Sequence, residues 1–143
     1  MQFVDQTQFG ENGNCCSAAL ASYFDLSIDE VFDIYKCGDD WSEQLWKWFR
    51  SKNLVLFCFK PTGFESYEQF LMDYDHLDLK FDKYYFEIGL TKRGNINNHI
   101  VICERGKGMI HDPHPDKSGL ITIAEEWHVL INPDELDVNF TFH

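Results

Sequence analysis

The chain has 143 residues, 44% hydrophobic and 16% aromatic, and carries a formal charge of −12 from 12 basic and 24 acidic side chains. That length bounds one domain with a real core, and the composition excludes intrinsic disorder. The acidity excludes nucleic acid as an expected partner, because phosphate binding needs a basic surface. The start, Met1-Gln2-Phe3-Val4-Asp5, has neither a basic region nor an apolar core, so no signal peptide is expected. The longest strongly apolar run, Leu54 to Phe59, is too short to span a bilayer, so no membrane association is expected either. Five cysteines (Cys15, Cys16, Cys37, Cys58, Cys103) form no CxxC pair. Free thiols in a reducing, cytoplasmic compartment are the simplest account.

In chain order, residues 1 to 14 lack periodicity and hold Gly10 and Gly13, so they read as a loop. Cys15 to Phe24 has Cys16, Ala19, Leu20, Tyr23 and Phe24 at helical spacing, predicting a buried helix. Ser27-Ile28-Asp29-Glu30 has the form of a capping box opening a short helix through Tyr35. Asp40-Trp41-Ser42-Glu43 repeats the acidic-cap pattern before a helix with Leu45, Trp48 and Phe49 on its apolar face, ended by Asn53. Leu54 to Lys60 reads as a buried strand, Ser66 to Met72 as a short helix turning Tyr67, Phe70 and Leu71 inward, and Tyr84 to Leu90 as a strand. Thr91 to Asn97 is a polar loop. His99 to Cys103 and Met109 to Asp112 flank Arg105-Gly106-Lys107-Gly108, a hairpin signature. Leu120 to Ile123 and Trp127 to Ile131 are two further expected strands, and the last residues are a tail or an edge strand. Helices first and an antiparallel sheet after them make an α+β pattern in a single domain, 1–143.

Chemistry concentrates at Asn12-Gly13-Asn14-Cys15, where a loop ends and a cysteine opens an apolar helix. First-turn N–H groups lack intrahelical partners, and with the helix dipole they favour a thiolate. A plainer reading makes Cys15 an early core residue, since free cysteines are often buried. A thiol nucleophile needs a base, and the base needs an acceptor on its other ring nitrogen. His99 and Asp112 suit those roles. With Arg105 paired to Gly108, Val101 faces Asp112 and His99 faces His114, which makes His99 and Asp112 diagonal neighbours on one sheet face. A one-residue slip would break that arrangement. Asp112-Pro113-His114-Pro115 is also ordinary turn chemistry. His111 and His114 invite a metal reading with His99, but no CxxC or HxxxH spacing supports one, and no metal or cofactor is expected. His76, His128 and His143 have no companion motif.

These residues resemble a family. Gln6-Thr7, Phe9-Gly10, Gly13-Asn14-Cys15, Ala18-Ala19-Leu20-Ala21 and Ser27-Ile28-Asp29-Glu30-Val31 are similar to a group of small papain-like proteins from bacteriophages and bacteria. So are Asn98-His99-Ile100-Val101, His111-Asp112-Pro113-His114-Pro115 and Ser118-Gly119-Leu120. The likeness covers roughly residues 5 to 35 and 97 to 121, and Cys15-x-x-Ala18-Ala19-Leu20-Ala21 more distantly resembles the nucleophile helix of bacteriocin-leader peptidases. The resemblance implies a papain-like (cysteine proteinase) fold, with Cys15 as nucleophile, His99 as base and Asp112 as orienting acceptor. It also implies a glutamine that donates to the oxyanion beside the Cys15 N–H. Gln6 matches the family's Gln-Thr, and Gln8 is the alternative, closer to Cys15. Cys16 departs from the family, where glycine or an aromatic is usual; packing and a silencing vicinal disulfide are its two readings.

Three functions compete on this sequence. One is a thiol hydrolase (peptidase, isopeptidase or amidase) acting on a peptide or protein, in the cytoplasm of a bacterium or phage-infected host. Another is a catalytically silent papain-like binding or decoy module, a phage protein acting on a host factor. The third is a metal-dependent hydrolase using His99, His111 and His114. The acidity suits a basic substrate, although solvated surface explains it as well, and neither the bond cleaved nor the oligomeric state is written in these residues.

Overall fold

Cys15–Phe24 form helix α1, and the smallness of its side chains explains where it sits. Ala18, Ala19 and Ala21 are fully buried, and Ser17, Leu20 and Ser22 are buried with them. The two serines satisfy their hydroxyls on backbone, Ser17 Oγ donating to Phe32 O at 2.9 Å and Ser22 Oγ to Ala18 O at 2.8 Å. A helix without bulk on these faces can approach a sheet closely. The computed structural model describes residues 1–10, 13–61, 66–74, 81–93, 98–121 and 124–135. Within them, three helices pack on a five-stranded antiparallel sheet.

Helix α2, Trp41–Ser51, follows its sequence pattern: Leu45 and Phe49 are buried, Trp48 packs edge-on to Phe24 and Phe49, and Glu43 and Lys47 pair at 3.0 Å on the solvent side. Asp40 is the N-cap, but its carboxylate accepts from Gln44 Nε2 at 2.7 Å instead of from backbone. Asn53 ends the run in the left-handed conformation, φ +58°. The helix expected from Ser27 to Tyr35 does not form. Glu30 N–H donates to Ser27 O in a turn, Val31 and Phe32 drop into the core, and a 3₁₀ turn at Ile34–Lys36 follows. Burying two consecutive apolar residues favours a turn there over a helix that would separate them by 100°.

The strands are β1, Val55–Phe59; β2, Phe81–Gly89; β3, His99–Glu104; β4, Gly108–His111; and β5, Glu126–Ile131, in the order β1-β5-β2-β3-β4. Between β1 and β2 lies α3, Tyr67–Tyr74, with Tyr67, Phe70 and Leu71 buried as the sequence predicts. The sheet divides the core. Ile100, Ile102, Phe86 and Leu130 pack with α1 and α2 on one side, and Val101, Cys103, Tyr85 and Val129 pack with α3 on the other. Each fully buried phenylalanine, such as Phe49 or Phe70, contributes roughly 1.5–3 kcal/mol. Leu120 and Ile121 are not a strand. Ile121 N–H makes a backbone bond to Leu90 O at 2.9 Å, and its side chain is exposed. Thr122 and Ile123, part of the 91–97 loop, and the tail after Glu135 lie outside the described residues.

The hairpin that carries the histidine differs from expectation by one residue at its turn. Glu104 pairs with Gly108 and Cys103 with Met109, where an Arg105–Gly108 pair was expected. The ladder then shifts, and Ile102 pairs with His111. The extra residue on β4, Ile110, makes a bulge, two residues after Gly108, which has φ +77°. It returns the strand to the expected register immediately before Asp112.

Candidate active site

Cys15 is the first residue of α1, and the residue before it does not cap the helix. Asn14 turns its amide back to the loop: Oδ1 accepts from the N–H groups of Thr7 and Gln8, both at 2.9 Å, and Nδ2 donates to Thr7 Oγ1 at 2.9 Å. The asparagine therefore shapes the loop and gives the first-turn N–H groups of α1 no acceptor of its own. Cys15 sits at that electropositive end.

His99 opens β3 and Asp112 follows β4, so the bulged register decides whether they meet. They do: His99 Nε2 lies 2.6 Å from Asp112 Oδ1, with both side chains buried. Cys15 is the other side chain that acts on the same ring. With Nε2 taken by Asp112, Nδ1 is the nitrogen left for the thiol. Burial works against a charged imidazole, but the hydrogen bonds and charges of Asp112 and Cys15 outweigh it and raise His99 to about 9. Asp112 also resists its own burial. Bonds from His99 and from the N–H groups of His114 (2.8 Å, to Oδ1) and Gly119 (2.8 Å, to Oδ2) hold it at about 2. The Lys117 ammonium donates to the Asp112 carbonyl at 2.8 Å and pairs with the Asp5 carboxylate.

Gly119 and Lys117 have no role in the sequence reading. The signal for Gly119 was its place in the Ser118-Gly119-Leu120 segment, which gave a likeness without a function. It has φ +70°, and a Cβ there would lie 3.0 Å from Met109 Sδ. Gly119→Ala is expected to cost about 1–2 kcal/mol and to disturb the Asp112 bond. Chemical denaturation measures the cost, and a variant as stable as the parent would show that the Met109 tip yields freely.

Of the two glutamines, Gln6 is buried and Gln8 exposed. Gln6 N–H donates to Pro113 O at 2.8 Å, beside Asp112, and Gln6 Nε2 donates to Gln8 O at 2.8 Å. A Cβ on Gly13 would lie 3.4 Å from that Nε2, which puts the carboxamide against the residues leading into Cys15. Gln8 lines a separate polar cavity of about 240 Å³ with Thr7, Asn14, Asp29 and Asp33.

The remaining candidates are committed elsewhere. Burial, with the neighbouring charges of Cys15 and Asp33, pushes Cys16 up to about 12, and it packs as a free thiol against the core. His111 Nε2 lies 2.8 Å from Val4 O, and His114 Nδ1 accepts from Asp116 N–H at 3.1 Å. Among the described residues, no three His, Cys, Asp or Glu are grouped to hold a metal ion. The sequence also missed a second Cys/His/Glu grouping, in a cavity of about 700 Å³ between α2 and the sheet. There Cys58 pairs across the strands with His128, whose Nε2 is 3.0 Å from Glu126. Burial first, and the Glu126 charge second, push that thiol up to about 11. A carboxylate that acts on the thiol itself suppresses ionisation, whereas Asp112 contacts the far side of its imidazole. His76 and His143 lie outside the described residues. Among those described, no helix is long and apolar enough to cross a membrane.

No family model matches the chain, and neither curated proteins nor solved structures yield a match.

Proposed function

We propose that this protein is a thiol hydrolase of papain-like fold, cleaving an amide, isopeptide or related acyl bond. The observation that carries the proposal is the buried His99–Asp112 pair with Cys15 acting on the same ring, brought together from the start of α1, the start of β3 and the end of the β4 hairpin. The Cys15 thiolate attacks the carbonyl carbon, forming a C–S bond as the carbonyl electrons move to oxygen. The Cys15 N–H and the second N–H of Gln6 Nε2 receive that oxyanion. As the tetrahedral centre collapses, the C–N bond breaks and His99 gives its Nδ1 proton to the leaving amine. Water, deprotonated by the same nitrogen, then attacks the thioester and returns the thiol. Asp112 keeps the Nε2 proton in place and stabilises the imidazolium.

A chromogenic ester tests this without knowledge of the natural substrate. Acetylation of Cys15 by p-nitrophenyl acetate should release a burst of p-nitrophenolate stoichiometric with protein and absent from Cys15→Ala. Gln6→Ala should slow that acylation by about 100-fold, whereas Gln8→Ala should leave it essentially unchanged. A parent protein with no burst would point instead to the silent binding module.

A further inference from the structure

We infer that His111 is a positioning residue that holds the N-terminal segment, and with it the Gln6 carboxamide, against the thiol; this rests on the hydrolase reading of the site. The segment runs as a strap beside the hairpin end. His111 Nε2–H donates to Val4 O at 2.8 Å, and the ring stacks on Phe3 with centroids 4.7 Å apart and planes 3° from parallel. Val4 N–H donates to Ser22 Oγ at 2.8 Å, tying the strap to α1. Two residues on, Gln6 N–H donates to Pro113 O at 2.8 Å. Between them, Asp5 pairs with Lys117, which also donates to the Asp112 carbonyl.

Among the described residues, Gln6 thus makes no hydrogen bond of its own to the helices or the strands. Its backbone is fixed by the same five residues, His111 to Pro115, that supply the orienting carboxylate. Its side-chain Oε1 is buried and unpartnered among the described residues, so the carboxamide is aimed by its backbone and not by a full set of side-chain bonds. His111 is buried, and burial lowers its readiness to take a second proton. The groups facing it are Asp5 (4.0 Å from Nε2), Lys117 and Asp112. A neutral imidazole with its one proton on Nε2 satisfies Val4 O while its face stacks on Phe3.

Two reactions of the same thiol separate this role from a structural one. Alkylation by iodoacetamide displaces iodide at a saturated carbon and forms no oxyanion. Acylation by p-nitrophenyl acetate passes through one. His111→Ala should slow acylation about tenfold while alkylation stays within about twofold of the parent. His111→Gln, which can still donate to Val4 O, should recover most of the loss. Phe3→Ala, at an exposed position, should lower acylation in the same sense. Gln6→Ala/His111→Ala should be no slower than Gln6→Ala alone. Hydrogen exchange at the Gln6 amide reads the strap without chemistry and should quicken in His111→Ala and Phe3→Ala. Equal loss of both reactions, or a double variant slower than Gln6→Ala, would overturn the inference. A parent that alkylates but never acylates, with the Gln6 amide responding as expected, would instead remove the hydrolase reading and leave the strap structural.

Discussion

Alkylation of Cys15 by iodoacetamide is expected to be far slower in His99→Ala than in the parent. Three features combine to produce this. The thiol begins a helix whose cap residue is turned away, the histidine that acts with it is raised to about 9, and that histidine rests on a buried carboxylate held at about 2. An imidazolium beside the sulfur stabilises the thiolate directly. Removing the ring removes both the counter-charge and the proton carrier, so esterase turnover should fall nearly as far in His99→Ala as in Cys15→Ala, because such groups act as a unit. Equal alkylation rates in parent and His99→Ala would mean that the ring does nothing for the thiol.

The second large effect is at Asp112. Its side chain is fully buried and accepts three hydrogen bonds, one from His99 and two from backbone. Asp112→Ala strands all three donors, one of them charged, and should cost about 3–5 kcal/mol. Asp112→Asn preserves shape but presents an N–H₂ to one of the donors, so it should lose about 1–3 kcal/mol together with much of the alkylation rate. The pH dependence follows with a definite sign. His99 is raised from 6.5 to about 9, so its share of stability is complete below 6.5 and lost as pH climbs through 9. Asp112 is lowered from 3.8 to about 2, so its share is complete above 3.8 and lost as pH falls through 2. Both shares describe largely one interaction and are counted once. Urea denaturation at pH 6.5 and pH 9.5 should show the parent weakening and Asp112→Asn nearly flat; equal slopes would remove the pair from the stability account.

Much of this site was legible before any coordinates. Periodicity located α2 and α3, each of which buries a stripe, and it placed α1 as a buried helix, although α1 buries the unbroken run Ser17 to Ser22 in place of a stripe. Turn chemistry located the hairpin, and the pairing of His99 with Asp112 followed from strand parity. What the sequence hid was non-local. The expected Arg105–Gly108 pair was wrong, yet Ile102 pairs with His111 as that register required, because a bulge at β4 cancels the slip; nothing in Gly108-Met109-Ile110 announces it. The box at Ser27 kept a 3.4 Å contact from Ser27 N–H to Glu30 Oε2, yet no helix grew from it, because Val31 and Phe32 gain more by burial in the core. Gln6 and Gln8 could not be separated by distance along the chain. The Pro113 carbonyl that fixes Gln6 comes from the other end of the sequence.

The sheet order has a consequence for how the molecule comes into being. β5, latest of the five strands in the chain, lies between β1 and β2, and β1 has β5 as its strand partner among the described residues. A chain growing on the ribosome therefore exposes Cys15 early, well before His99 and Asp112 exist, and cannot knit the two halves of the sheet together until residue 131 has emerged. Long-range closure of this kind is slow beside helix formation. Throughout that interval the cysteine lacks the histidine and the carboxylate that the finished fold brings to it. On the proposed hydrolase reading, the sulfur gains its chemistry only when the sheet has closed.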